Sequence, residues 1–331
     1  MGVYIIAEAG VNHNGSVELA KKLCLEAKKA GADAVKFQTW ITEKIITKTV
    51  KQADYQSENT GSEKSQFDML KELELSYDDF REIKSYCDEI GICFASTADE
   101  PESLDFLVEL GIPFIKIGSG DIGNLPFLRY IGSKNLPVIL STGMSTLADV
   151  EESLKALRQG GAEDISLLHC TTSYPCPYDK VNLNAMDTLR SAFGVEVGYS
   201  DHTMGIEVPI AAAARNATII EKHFTLDRSM EGPDHLASTE PNDFKKMVDS
   251  IRNIEKALGS GNKQPTDEEI EISQVVLKRI VARRFIPKGK IIDEEDLIVK
   301  RNDEGISVKY WDLVLGTTAT KNYEIDEAIE F

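Results

Sequence analysis

The sequence predicts an α/β protein: an eight-stranded (β/α)8 TIM barrel followed by a small β-rich C-terminal domain. Three observations predict it. Eight short apolar runs alternate with amphipathic stretches, each run ends in a polar side chain, and 331 residues exceed the roughly 250 that a barrel needs. Parallel barrel strands are buried on both faces, so they read as continuous apolar runs. Alternation alone also suits a doubly wound open sheet, the main structural rival.

The runs lie at 3–7, 34–37, 92–96, 114–117, 137–140, 165–170, 195–199 and 218–222. Between the first two, Val17, Ala20, Leu23, Cys24, Ala27 and Ala30 keep helical spacing behind Ser16, a suitable N-cap, and Gly31 suits the stop. Residues 40–75 break the rhythm. They are long, polar and rich in Lys, Gln and Ser, and read as a loop, either a lid over a site or a plain surface excursion. Residues 259–269 are rich in Gly, Ser, Asn and Pro and read as linker-like. The expected organisation is a barrel over 1–262, a linker over 263–275 and a C-terminal domain over 276–331. Short β-like runs at 280–282, 287–289, 297–300 and 313–315 mark that last domain.

Composition narrows the function classes. A 42% hydrophobic, 28% charged chain can bury a core, which argues against disorder. The net charge of −18 opposes binding to nucleic acid or an anionic membrane surface. Residues 276–331 carry ten Lys/Arg against eleven Asp/Glu, leaving 27 against 44 before them, so the excess acidity belongs to the barrel. An anionic ligand there needs locally placed cations. Five cysteines without C-x-x-C spacing argue against a disulfide framework or a structural zinc site, and the expectation is reduced, mostly buried thiols. No basic leader precedes the first run and no apolar stretch reaches the length of a membrane span, so a cytoplasmic location is expected.

The candidate chemistry sits where the runs turn polar. Glu8, Lys36, Ser96 with Thr97, and Lys116 with Ser119 end the first four. Ser141 with Thr142, His169 with Thr171 and Thr172, Ser200-Asp201-His202 and Glu221-Lys222-His223 end the others. A barrel brings all eight ends to one face, the face that carries active sites in this fold. For a single Ser or Thr, strand capping explains the residue better than function does. Lys36 and Lys116 ask for more, because an ammonium inside an apolar run needs either a bound anion or a paired carboxylate such as Glu8. The hydroxyls of Thr97, Ser119, Ser141 and Ser200, with Gly118, Gly120, Gly143 and Gly198 beside them, suit a phosphate or carboxylate cradle. His202 and His223 end neighbouring strands and suit an open metal site, for which Mn²⁺, Fe²⁺, Co²⁺ and Zn²⁺ are all acceptable. Taken singly, a histidine in such a place is more often a hydrogen-bonded core residue.

The ordered strings Ile6-Ala7-Glu8-Ala9-Gly10-Val11-Asn12-His13-Asn14-Gly15, Lys36-Phe37-Gln38-Thr39 and Lys116-Ile117-Gly118-Ser119-Gly120 resemble the sialic acid (N-acetylneuraminate) synthase family. So do Leu140-Ser141-Thr142-Gly143-Met144, Gly198-Tyr199-Ser200-Asp201-His202, Glu221-Lys222-His223-Phe224-Thr225 and Gly232-Pro233-Asp234-His235. From Ser273 onward, with Lys300-Arg301, the chain resembles the antifreeze-like (SAF) domain, a β-clip fold, that these nonulosonic acid synthases carry. The resemblance implies a transferase that joins phosphoenolpyruvate to an N-acylated mannosamine and releases phosphate. It implies that Lys36, Thr97, Lys116, Ser119, Ser141 and Ser200, with Thr172 at lesser weight, hold phosphoenolpyruvate. Gln38, Tyr174, Asp121 and Asp234 would meet the sugar, Glu8 would handle a water proton, and His202 and His223 would hold a divalent metal. Mn²⁺ is the metal expected, with Mg²⁺ or Co²⁺ as alternatives. Arg301 would reach the sugar from the partner subunit of a domain-swapped homodimer.

Three positions depart from the family pattern: Asp121 where many members have Glu, Thr172 where some have Asn, and Asn302-Asp303-Glu304-Gly305 after Arg301. They bear on the sugar more than on the reaction. The first reading is an N-acetylneuraminate synthase using N-acetylmannosamine; the alternative is an N,N'-diacetyllegionaminate synthase using 2,4-diacetamido-2,4,6-trideoxymannose. A metal-dependent barrel hydrolase or lyase would need further ligands at the strand ends, and the H-x-H of such enzymes is missing from the first strand. A carbohydrate- or ice-binding module would have no use for lysines and a histidine pair inside the barrel.

Overall fold

The computed structural model describes residues 2–51 and 65–330. It divides into two compact units, Met1–Gly259 and Ser260–Phe331.

In the first unit eight strands close into a parallel barrel in chain order: β1 Tyr4–Gly10, β2 Ala34–Thr39, β3 Cys93–Ala98, β4 Ile115–Ile117, β5 Val138–Ser141, β6 Ile165–His169, β7 Glu196–Asp201 and β8 Ile219–His223. The closure excludes the open-sheet rival. Most strands run further than the apolar runs suggested, through their polar ends, because the ladder continues there. Glu8 pairs with Lys36 on one side and with His223 on the other, and Gln38 pairs with Thr97. Several candidate side chains therefore stand on paired strands rather than on loops.

Strand alternation sorts the interior into layers. Ile6, Ala34, Ala95, Phe114, Ile139, Leu168 and Ile219 form a separate apolar cluster. Two residues further along each strand, on the same face, stand Glu8, Lys36, Thr97, Lys116, Ser141, Cys170 and Glu221. One step up the barrel thus replaces an apolar layer with a charged one. The alternate residues, such as Ile5, Val35, Phe37 and Phe94, enter the larger core that includes side chains of the surrounding helices.

The seventh strand contributes Gly198 at the level of the apolar layer. A Cβ there would lie 2.3 Å from the Ile219 carbonyl oxygen and 2.7 Å from a Leu168 methyl, so β7 packs against its neighbours only as glycine. The helix Val17–Lys29 forms as its spacing predicts: Ser16 accepts from the Leu19 N–H, and Gly31 takes a left-handed φ of 87° past the end.

Residues 40–75 correct the loop expectation. Within them the structure has helices Thr42–Ile45 and Gln66–Leu73, the second capped by Ser65 and burying Met69 and Leu73 against Val11 and Trp40. The polar composition hid a cap followed by apolar residues at helical spacing. The rest of that stretch, residues 52–64, lies outside the described residues. All five cysteines are free thiols, four of them buried and Cys93 half-buried. Among the described residues no helix is long and apolar enough to cross a membrane.

The second unit begins with an irregular stretch and a helix, Asp267–Val276, that the sequence reading did not contain; Thr266 and Glu269 close its capping box. Strands β9 Lys278–Ala282 and β10 Leu297–Arg301 pair antiparallel, and Ile280, Ile286, Ile292, Leu297, Val314 and Tyr323 build a separate core. The β-like run expected at 313–315 is helical instead, Trp311–Val314, which turns Val314 into that core with Trp311 packed against it. The Asp296 carboxylate is fully buried against Lys290 at 2.5 Å and Arg284 at 2.8 Å. Burial alone would raise it, but Lys290, Arg284 and a backbone N–H outweigh burial and hold it at about 2.

Two outcomes are expected. Gly198→Ala should cost about 1–3 kcal/mol or more by overpacking, read as a lower urea midpoint. An unchanged midpoint would show that β7 can shift. A depressed carboxylate stabilises the fold above its unfolded pKa and loses that contribution as pH falls through its folded value. Asp296→Asn should therefore destabilise the protein at neutral pH, with the gap to wild type narrowing as pH falls from about 4 toward 2 in thermal melts.

Candidate active site

The charged layer is a closed set of partners. Lys36 Nζ lies 2.6 Å from Glu8 Oε2 and 3.7 Å from Glu221 Oε2, and it donates to Thr97 Oγ1 at 3.1 Å. Lys116 Nζ lies 3.3 Å from Glu221 Oε1 and donates to Ser141 Oγ at 2.9 Å. Ser200 donates to Glu221 Oε1 at 3.0 Å, and Gln38 donates to Glu8 Oε1 at 3.2 Å. Two ammoniums and two carboxylates thus share a buried layer. The lysines have the carboxylate partner that the sequence left as one of two options, with Glu221 added to Glu8.

The two glutamates are not equivalent. Burial pushes Glu8 up to about 7, with Lys36 opposing the rise and Glu221 adding to it. Burial also works against ionised Glu221, but Lys116 and Lys36 together outweigh it and hold that carboxyl at about 2. Buried carboxyls pushed apart in this way suit different protonation roles.

A cavity of about 210 Å³ opens over this layer, lined by Glu8, Lys36, Gln38, Thr97, Lys116, Ser119, Ser141, Thr172, Tyr174, Ser200, His202 and His223. Twelve of the fifteen candidates thus converge on one space. Its wall near β5 is built for close approach: Ser119 Oγ accepts the Gly143 N–H at 2.9 Å, and a Cβ on Gly143 would meet Thr172 Oγ1 at 2.2 Å. Thr172 itself is exposed at the cavity mouth.

The histidines face one another with ring centroids 5.5 Å apart, and the Tyr174 ring lies 4.2 Å from His202 and 5.6 Å from His223. His202 Nδ1 donates to the Thr171 carbonyl at 2.7 Å, which leaves Nε2 with its lone pair. Burial lowers both imidazoles, and for His223 the neighbouring His202 adds to the effect, so both are neutral donors. This donor pair fits a divalent cation. Among the described residues no three His, Cys, Asp or Glu side chains gather into a metal-binding group, so further ligands would have to come from water or substrate.

Three candidates stand apart. Asp234 borders an adjoining cavity of about 150 Å³, which shares Gln38, Tyr174 and His223 with the first, and its Oδ2 is 3.9 Å from His223 Nδ1. Burial raises Asp234 to about 6. Asp121 ends the short turn Ser119–Asp121 and accepts from Asn124 at 2.9 Å. Arg301 belongs to the second unit, where it ends β10 as an exposed side chain.

Sequence reasoning named Glu221, Asp201 and Lys222 among the polar strand ends without giving them a role, and it missed Asp99. Glu221 had a readable signal, since it lies two residues before His223 on one strand and so shares its face. Asp99, which burial and Asp121 raise to about 7, lies just past β3 and had none. On the outer face, Lys222 pairs with the Asp201 carboxylate and donates to the Thr203 carbonyl at 2.7 Å, tying β7 to β8 behind the two histidines.

A (β/α)8-barrel enzyme is the class that this fold and cavity define. Comparison with known proteins carries the assignment further. The NeuB family model matches residues 23–263 and the SAF domain model matches residues 279–330. The chain is 47% identical over 327 residues to the N,N'-diacetyllegionaminic acid synthase of Campylobacter jejuni, covering 98% of each protein. It is 46% identical to the enzyme of the same name from Legionella pneumophila, covering 97% of this chain and 92% of that one. A crystal structure of N-acetylneuraminic acid synthetase from Leptospira borgpetersenii, in complex with citrate, superposes with a TM-score of 0.72 at 35% identity, covering 83% of this chain and 93% of the other. The chain belongs to the NeuB family of sialic and legionaminic acid synthases, transferases by reaction type, and carries an SAF domain.

Replacing Glu221 tests the charge balance. Glu221→Gln leaves two lysines sharing one carboxylate and should cost on the order of 3 kcal/mol in thermal melts without ligand. Saturating inorganic phosphate should recover more stability in the variant than in wild type. An equal phosphate shift in both would count against an anion entering between these lysines.

Proposed function

We propose that this enzyme condenses phosphoenolpyruvate with 2,4-diacetamido-2,4,6-trideoxymannose to give N,N'-diacetyllegionaminate and phosphate. The observation that carries the reading is the cationic, hydroxyl-rich layer lying directly beside a neutral histidine pair in one cavity. Such a layer suits a small anion bearing both phosphate and carboxylate. The choice of sugar is supported by the 47% and 46% identities to legionaminic acid synthases, against 35% to the sialic acid synthetase. N-Acetylneuraminate synthesis from N-acetylmannosamine, the reading the sequence put first, becomes the second reading.

In this mechanism Lys36, Thr97, Lys116, Ser119, Ser141 and Ser200, with Thr172 at the mouth, hold phosphoenolpyruvate. The lysines exchange carboxylate partners for the incoming anion. Gln38, Tyr174, Asp121 and Asp234 orient the open-chain sugar with its aldehyde toward His202 and His223. Those histidines would hold a divalent cation, Mn²⁺ first with Mg²⁺ or Co²⁺ as alternatives, which supplies Lewis-acid polarisation of a carbonyl oxygen. The C3 carbon of phosphoenolpyruvate attacks the aldehyde carbon, whose oxygen takes a proton and becomes a hydroxyl. Water adds to the resulting electron-poor C2 and passes a proton to Glu8, the carboxyl that Lys36 and Gln38 aim into the cavity. The C2–O bond to phosphate then breaks, and loss of the remaining hydroxyl proton leaves the ketone. The same reading carries a cytoplasmic homodimer in which Arg301 of one subunit completes the sugar site of the other.

The decisive experiment offers phosphoenolpyruvate, Mn²⁺ and a panel of acylated mannosamines, with products identified by mass spectrometry. The trideoxy diacetamido sugar should be consumed fastest, with free phosphate released and turnover lost on chelation. Faster use of N-acetylmannosamine would move the assignment to the second reading, and full activity after chelation would remove the histidine pair's metal role.

A further inference from the structure

The string Asn12-His13-Asn14-Gly15 has no part in the reaction as proposed. It forms a tight turn between β1 and the helix Val17–Lys29. The Asn14 N–H donates to the Val11 carbonyl at 3.0 Å, the Ser16 N–H to the His13 carbonyl at 2.9 Å and the Gly15 N–H to His13 Nδ1 at 3.0 Å. Asn14 and Gly15 take left-handed φ values of 49° and 72°, where asparagine and glycine are favoured. A Cβ on Gly15 would stand 2.8 Å from the Glu72 carbonyl oxygen, so the turn is also packed from outside. Asn12 and His13 are buried.

The turn holds the segment that follows β8. Between β8 and the helix Pro241–Leu258 the chain makes only an isolated bridge, Phe224 with Thr239, and the short turn His235–Ala237. Such a segment needs side chains to satisfy and fix its backbone. Asn12 Nδ2 donates to the Phe224 carbonyl and to Ser238 Oγ, both at 2.9 Å, and the Ser238 hydroxyl donates onward to the Asp234 carbonyl at 2.7 Å. A carbonyl only accepts, so the amide nitrogen must face Phe224, and a carboxylate could not replace it. Asn14 Nδ2 donates to the Glu231 carbonyl at 2.9 Å, and its Oδ1 accepts from His235 Nε2 at 3.1 Å. One turn therefore grips the chain on both sides of Asp234 and again just after His223. The His223 carbonyl itself accepts the Thr239 N–H at 2.8 Å, which ties the histidine to the same segment. We propose that Asn12 and Asn14 are positioning residues that set where Asp234 stands relative to His223, whose facing atoms lie 3.9 Å apart. Neither asparagine is among the described lining residues of the two cavities, and none of their bonds reaches Lys36, Thr97, Lys116 or Ser141. The inference rests on the functional reading above, in which Asp234 meets the sugar and His223 a divalent cation.

A turn that merely stabilised the fold would lower the melting temperature and leave the substrate constants alone. Two measurements on the full chain read the difference: steady-state kinetics with phosphoenolpyruvate and the trideoxy diacetamido sugar, and Mn²⁺ titration followed by the free-ion electron paramagnetic resonance signal. Asn12→Ala should raise the KM for the sugar and the Kd for Mn²⁺ about tenfold each, the usual effect of removing an outer-shell partner, with the KM for phosphoenolpyruvate unchanged. Ser238→Ala cuts only the branch to Asp234 and should raise the sugar KM severalfold with the Mn²⁺ Kd unchanged. Asn14→Gly, which keeps the left-handed backbone and loses both side-chain bonds, should do the same. These two variants carry the test should Asn12→Ala fail to fold. Constants unmoved in the folded variants, or a phosphoenolpyruvate KM rising in step with that of the sugar, would overturn the proposal. A wild-type protein that consumes no sugar would overturn the functional reading. The Mn²⁺ Kd then decides the positioning role, weakening in Asn12→Ala sustaining it and equal affinity removing it. Mn²⁺ bound by neither protein would overturn both.

Discussion

Two ammoniums and two carboxylates enclosed in a closed barrel must satisfy one another, and much of the active site follows from that requirement. Lys36 bridges Glu8 and Glu221, Lys116 meets Glu221 from the other side, and Thr97, Ser141, Ser200 and Gln38 supply hydrogen bonds to the set. Desolvating four charges is costly, and a network of this kind persists only when nearly every member is matched. It sits on seven of the eight barrel strands, all but β6, and a closed ladder is the most rigid support the fold provides. In the proposed reaction an incoming anion would displace carboxylates that already hold the lysines in place. That would reconcile the proposed anion site with a chain of net charge −18.

The layering shows how the barrel tolerates this. Apolar side chains such as Ile6, Phe114 and Ile219 close the interior one step below Glu8, Lys116 and Glu221. They keep water from reaching the charges from beneath, which strengthens the pairing and raises Glu8. The outward pair Asp201 and Lys222 fixes the spacing of β7 and β8, so the histidines that follow each residue inherit a set separation.

Much of this was legible in the sequence because a parallel barrel strand is apolar until it reaches the site. A lysine or glutamate at the end of such a run stands out, and period-two alternation along the whole of β8 would have given Glu221, already among the strand ends, its place beside His223. The adjoining smaller cavity was not legible. It draws on Val11, on a helix at 66–73 and on Asp234, three segments far apart in the chain whose convergence only the closed barrel reveals. The helix was hidden by polar neighbours, and Asp99 lies beyond the last residue of a strand, where no periodicity applies. At 313–315 the apolar run looked like a strand, but burying Trp311 and Val314 on one side needs helical spacing.

One wall of the smaller cavity, Met69, Leu70 and Leu73, comes from an insertion between β2 and its following helix, whereas the charged layer comes from the strands themselves. The two are separable there, although Gln38, Tyr174 and His223 line both cavities. Mutations in the insertion can reshape the wall without disturbing the ladder that positions Lys36 or His223. If the proposed function holds, a lineage built on this plan could change that wall in small, individually viable steps while the strand residues stay under a separate constraint.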